Sequence, residues 1–138
     1  MTLGGTRIAA SFALFAAVAA APASTPDRPV QIGLAGDDLD ACLSMGATAN
    51  LDPRGDNFLT VRAAPSTRAR PVFRLGPRHP VYVCEEAAGG RWLGIVFTDM
   101  PRSRQNCRVG SPVPRPQAYA GHCRSGWVAA RYVTIIAG

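Results

Sequence analysis

The chain has 138 residues, 47% of them hydrophobic, with 15 Lys+Arg against 9 Asp+Glu and a formal net charge of +6. All 15 of the Lys+Arg are arginine, and 12 prolines and 14 glycines are spread along the chain. That density excludes a helical bundle or coiled coil, the length leaves no room for a separate cofactor domain, and the apolar content permits a folded body.

Arg7 is the first charged side chain, and an apolar run from Ile8 to Ala21 follows it, broken by Ser11. It ends in Ala21-Pro22-Ala23. A basic start, a short apolar stretch and a small-residue site predict a secretory signal peptide over residues 1–23. The run is shorter than the roughly 20 residues of a membrane span. The expected product starts at Ser24, carries one positive charge fewer, has no membrane span, and is periplasmic or secreted. Export makes Cys42, Cys84, Cys107 and Cys123 candidates for disulfides. Three connectivities are open. The preferred one joins Cys107 to Cys123, closing a proline-rich loop, and Cys42 to Cys84, stapling an arm to the body.

An N-terminal arm, residues 24–56, comes next. Ser24 to Pro29 is a polar lead-in, Asp37, Asp38 and Asp40 form a small acidic cluster, and Cys42 to Ala47 allows a short strand. Asp52-Pro53-Arg54-Gly55-Asp56 is a dense turn signal. The body then alternates as half-buried strands do. Phe58 to Arg62 is a strand with Leu59 and Val61 on one side. Val72 to Leu75 and Val81 to Cys84 are strands. Glu85 to Gly90 is a hairpin turn, and Arg91 to Phe97 is the next strand. Residues 98–122 carry Pro101, Pro112, Pro114 and Pro116 and no apolar period. Ser125 to Val128 and Val133 to Ile136 are the last strands, with one tight turn between them. Short strands with turns between them argue a small β-barrel.

Chemistry-bearing patterns are scarce. There is no C-x-x-C for zinc or dithiol exchange, and His79 and His122 have no metal-ligand spacing with the cysteines. G-x-S-x-G, the Walker loop, G-x-G-x-x-G and H-E-x-x-H are all missing. The expectation is a non-enzyme with no metal and no cofactor. Nucleic acid is disfavoured as a partner by export, despite the positive charge.

Leu59-Thr60-Val61-Arg62-Ala63-Ala64-Pro65-Ser66 is similar to the L-x-V-R-x-x-P-S opening of bacterial SH3-like (SH3b) domains. Phe73-Arg74-Leu75-Gly76, then Val81-Tyr82-Val83 with Gly90-Arg91-Trp92-Leu93-Gly94, resemble the strands that follow. Gly126-Trp127-Val128 with Arg131-Tyr132-Val133 resembles the closing segment. The resemblance implies an all-β fold. It would be a small five- to six-stranded SH3-like barrel over residues 57–138, with a disulfide-pinned insertion at 98–122. Gly76, Gly94 and Gly126 suit places where backbones approach or twist.

In such a barrel Trp127 is a core residue and Arg62 a brace for the following loop. Tyr82, Trp92 and Tyr132 are candidates for a ligand groove. Arg68 and Arg70, continued by Arg74 and Arg78, form a basic run suited to carboxylates or phosphates. The resemblance implies an exported binding module associated with the cell envelope or peptidoglycan. Its partner would be a cell-wall polymer or an envelope protein. The alternative is a periplasmic interaction domain taking an extended or proline-rich segment.

Overall fold

The computed structural model describes residues 1–19, 24–100 and 106–138. The predicted cleavage site at Ala21-Pro22-Ala23 and residues 101–105 of the insertion lie outside these. Residues 1–19 form no regular structure, and Phe12 and Phe15 there are almost fully exposed.

The strands are β1 Gln31–Ile32, β2 Ser44–Thr48, β3 Leu59–Arg62, β4 Pro71–Leu75, β5 Pro80–Ala87, β6 Trp92–Phe97, β7 Gln117–Ala118, β8 Arg124–Ala129 and β9 Val133–Ala137. A single 3-10 turn, Ala130–Tyr132, links β8 to β9. Among the described residues, seven strands form one antiparallel sheet in the order β4-β3-β8-β6-β5-β2-β9, and β1 pairs with β7 apart from it. The edge strands β4 and β9 are not paired with each other. The sheet is therefore open, and the closed five- to six-stranded barrel is not observed. The added strand is β2. It leaves the arm and inserts between β5 and β9.

Strand alternation builds the first core. Leu59 and Val61 of β3, Leu75 of β4, Val81 and Val83 of β5, Leu93, Ile95 and Phe97 of β6 and Val128 of β8 form one buried cluster. A single cluster fed by five strands requires the sheet to curl around it. Thr60 and Arg62, between the inward residues of β3, remain partly exposed. His79 at the edge of this core donates from Nε2 to the Thr98 carbonyl at 2.8 Å and stands edge-on to Phe97.

The opposite face of the sheet is also covered. Trp127 alternates with Val128 along β8, so it points the other way, and it is fully buried there. Val30 and Ala87 close over it. Beside them Ile32, Ala41, Cys42, Val96, Cys107 and Val109 make a further cluster. The arm and the insertion supply most of this layer and hydrogen-bond to one another. Cys42 N–H donates to the Val109 carbonyl at 3.1 Å, and Tyr119 N–H donates to the Val30 carbonyl at 2.9 Å. Tyr119 Oη donates to the Cys107 carbonyl and accepts from Cys123 N–H, both at 3.1 Å.

Two disulfides, Cys42–Cys84 and Cys107–Cys123, hold this layer, in the preferred connectivity. The arm is latched by charge as well. Arg28 Nη2 donates to the buried Glu85 carboxylate at 2.6 Å, and Gln31 N–H reaches the same carboxylate at 2.9 Å. Trp127 Nε1 donates to the Arg28 carbonyl at 2.8 Å, beneath the Arg28 guanidinium. Glu85 was expected in the turn. It lies instead in β5, which continues past an irregularity between Val83 and Glu85 to reach Ala87.

Candidate binding cleft

An open cleft of about 400 Å³ lies where the loop after β2, strand β3, the start of β6 and the 3-10 turn meet. Asp52, Asp56, Arg62, Trp92, Arg131 and Tyr132 line it. A second hollow of about 470 Å³ shares Thr67, Trp92 and Arg131 with it and adds Arg91. The two are therefore adjoining lobes about Trp92 and Arg131.

Local structure holds the two sides in place. Asn50 adopts a left-handed backbone (φ 58°), a conformation Asn tolerates, and its side-chain amide donates to the Arg131 carbonyl at 3.0 Å. Ala49 N–H donates to the Tyr132 carbonyl at 2.9 Å. These bonds tie the loop bearing the two aspartates to the 3-10 turn bearing Arg131. Asp52 Oδ1 accepts the Arg54 N–H at 2.9 Å, which closes the turn the sequence announced. The Arg131 guanidinium lies over the Tyr132 ring, 5.0 Å from its centroid. Arg62 Nη1 donates to the Ala69 carbonyl at 3.0 Å, bracing the loop between β3 and β4. The cleft thus combines three aromatic residues, Phe58, Trp92 and Tyr132, with carboxylates and guanidiniums, and it suits a ligand bearing both charges rather than a polyanion.

Of the five residues expected to form a groove, Trp92 and Tyr132 share this cleft. Tyr82 does not. It follows Val81 in β5, so it faces the outer layer and packs on the cluster around Cys42 and Cys107. Arg68 is exposed and does not line the cleft. Arg70 forms an ion pair with Asp27 of the arm at 2.7 Å. Its guanidinium holds the Asp27 carboxyl below the usual carboxylate range. Arg124 does the same to Asp99. Arg74 lies over the Phe58 ring at 4.4 Å. Two arginines of the basic run, Arg70 and Arg74, are thus engaged in local contacts. Asp52 and Asp56 were legible only as turn residues, and nothing in the local pattern of Arg131 marks it as cleft-facing.

The proline-rich segment of the insertion does not occupy the cleft. Val113 packs so closely on the arm that a Cβ at Gly33 would lie 2.4 Å from its Cγ2. No described residue of the insertion lines the cleft. All four cysteines are bonded, so none offers a free thiol. Among the described residues no group of three or more His, Cys, Asp or Glu could hold a metal ion, and no helix is long and apolar enough to cross a membrane.

These features define an all-β protein with an open seven-stranded antiparallel sheet, an outer layer held by two disulfides, and a cleft of mixed charge. Two disulfides fit an oxidising compartment. No protein-family model matches the chain, and neither does a curated protein or a solved structure.

Proposed function

We propose that the chain is an exported, non-catalytic binding module of SH3-like build, residues 57–138, preceded by a signal peptide and an arm. Its cleft takes a short peptide bearing an ammonium and a carboxylate, and the stem peptides of a cell wall are the envelope polymer of that chemistry. The observation that carries this reading is the meeting of Trp92 and Tyr132 with Asp52, Asp56, Arg62 and Arg131 in one cleft. The hairpin of β5 and β6, followed by β8, the 3-10 turn and β9, supports the SH3-like comparison. The interaction-domain alternative has less behind it, because Tyr82 is turned away from the cleft and the chain's own proline-rich segment lies on the arm.

Retention on purified cell wall tests the reading. Binding at low salt is expected, weakened as salt rises and as either charge is removed by Arg131→Gln or Asp56→Asn. Absence of retention at low salt would refute it. N-terminal sequencing of protein recovered from the periplasm is expected to begin at Ser24, and an intact Met1 there would refute the signal peptide.

A further inference from the structure

The two lobes of the cleft are charged differently. The first, about 400 Å³, holds Asp52 and Asp56 together with Arg62 and Arg131. The second, about 470 Å³, holds Arg91 and Arg131, and no carboxylate among the described residues lines it. Glu86 comes within 3.5 Å of where a Cβ on Gly90 would stand, but it lines a separate hollow beside Cys84. Arg91 and Arg131 are exposed, and among the described residues neither forms an ion pair. Arg91 Nε donates to the Ala88 carbonyl at 3.0 Å, which leaves both Nη groups open to a ligand. Trp92 and Thr67 belong to both lobes, so one ligand can run from the first into the second.

We propose, on the basis of the cleft reading above, that the peptide lies in one direction and that its free terminal carboxylate is what the second lobe selects. The carboxylate sits with Arg91 and Arg131, and the ammonium sits in the first lobe with Asp52 and Asp56. Guanidinium forks match a carboxylate in shape as well as charge. The reverse direction brings an ammonium to a lobe lined by two cations and a carboxylate to two aspartates, so like charges meet at both ends. A terminus blocked as an amide, or joined to another chain, has no charge to offer the second lobe. Arg91 lines that lobe alone, whereas Arg131 lines both, so Arg91 is the residue that tells a free end from a blocked one. Two compact lobes of these volumes measure at most roughly 15 Å end to end, the reach of about four extended residues.

Tetraglycine tests this, because it has no side chain and no handedness to misfit. Trp92 is half-buried in the cleft and Trp127 is fully buried away from it, so a change in tryptophan emission reports binding. At low salt, with peptide up to about 10 mM, tetraglycine should saturate the signal. Its C-terminal amide and its N-acetyl form should each bind at least about fivefold more weakly. In Arg91→Gln, with an unchanged circular dichroism spectrum, the acid should fall to the level of the amide while the effect of N-acetylation persists. Arg91→Lys keeps the charge and should keep part of the preference for the acid. Arg115→Gln removes the same charge from the insertion and should leave every ratio unaltered. Equal affinity for acid and amide, a preference that survives Arg91→Gln, or no response to tetraglycine would overturn the proposal. Retention on cell wall alongside any of these would strike the direction of binding alone and leave the cleft reading standing. Loss of retention as well would overturn both.

Discussion

Replacing Gly126 by Ala tests how tightly β8 is pressed against β3. A Cβ there would lie 2.4 Å from Val61 Cγ1, 3.0 Å from the Arg62 carbonyl oxygen and 3.3 Å from Val72 Cγ2. Ordinary carbon contacts are about 3.5–4.0 Å, so Val61 must retreat by more than about 1 Å. It has nowhere to go, because it is fully buried and β-branched, with a stiff χ1. The Arg62 oxygen belongs to the backbone and moves only with β3. Overpacking of this kind costs about 1–3 kcal/mol. The lower chain entropy of Ala in the unfolded state returns about 0.4–1 kcal/mol. A net loss of about 1 kcal/mol follows, or a fall of roughly 5 °C in Tm for a domain of this size. Gly76 is the control, since a Cβ there meets nothing within 4 Å. Gly76→Ala should leave Tm unchanged or slightly raised. Thermal and urea unfolding of the oxidised proteins measure both. Equal stability of Gly126→Ala and the parent would refute the packing argument, as would equal damage from the two substitutions.

The arm latch and the acid response are testable in the same way. Glu85→Ala leaves the Gln31 N–H without its acceptor and Arg28 without its partner. It should cost about 2 kcal/mol in urea unfolding and speed hydrogen exchange at residues 28–32. Glu85→Gln keeps an acceptor for Gln31 N–H and should lose less. Asp27 and Asp99 have folded pKa values lowered by their hydrogen bonds to Arg70 and Arg124. A depressed carboxylate contributes stability above its unfolded pKa and loses that contribution as pH falls through the folded value. Tm should therefore decline below about pH 4, and Asp27→Asn and Asp99→Asn should each flatten the decline. Both pairs are exposed, so the effects are small and fade with added salt. An acid decline identical in the parent and both variants would refute this assignment.

Much of the sheet was legible because it alternates locally. Leu59 and Val61, Val81 and Val83, and the Trp127–Val128 step show their faces in the sequence. The outer layer does not show itself this way. Val30, Ile32, Val109 and Tyr119 are scattered apolar residues whose partners lie across long sequence separations. Strands β1 and β7 are two residues each, too short for any period, and exist because they pair with each other. The cysteines were the one signal that the arm and the insertion belong to the body. Arg70 looked free in the alternating basic run because its partner, Asp27, is 43 residues away. Gly76 was expected at a close approach, yet a Cβ there meets open space. The cleft was half legible: the large aromatics Trp92 and Tyr132 stand out by type, whereas Asp52, Asp56 and Arg131 converge only once β2 has inserted beside β9.

That insertion gives the two disulfides different consequences. Cys42–Cys84 and Cys107–Cys123 span sequence separations of 42 and 16 residues. Loop-closure entropy assigns them about 4 and about 3 kcal/mol, so both matter to stability by similar amounts. Their reach into the cleft differs. Cys42 is bonded to β5 two residues before β2 begins, and β2 leads into Asn50, Asp52 and Asp56. Cys107–Cys123 closes the insertion, which has no described residue in the cleft. Replacing Cys42 and Cys84 together by serine should therefore loosen Asp52 and Asp56 in the cleft and reduce retention on cell wall, even where the variant is still folded. Replacing Cys107 and Cys123 should lower Tm with retention preserved. Retention measured well below both transition temperatures separates the effects. Equal loss in the two double variants would mean that the outer layer acts on the cleft only through global stability, and the assigned role of the arm in shaping it would fall.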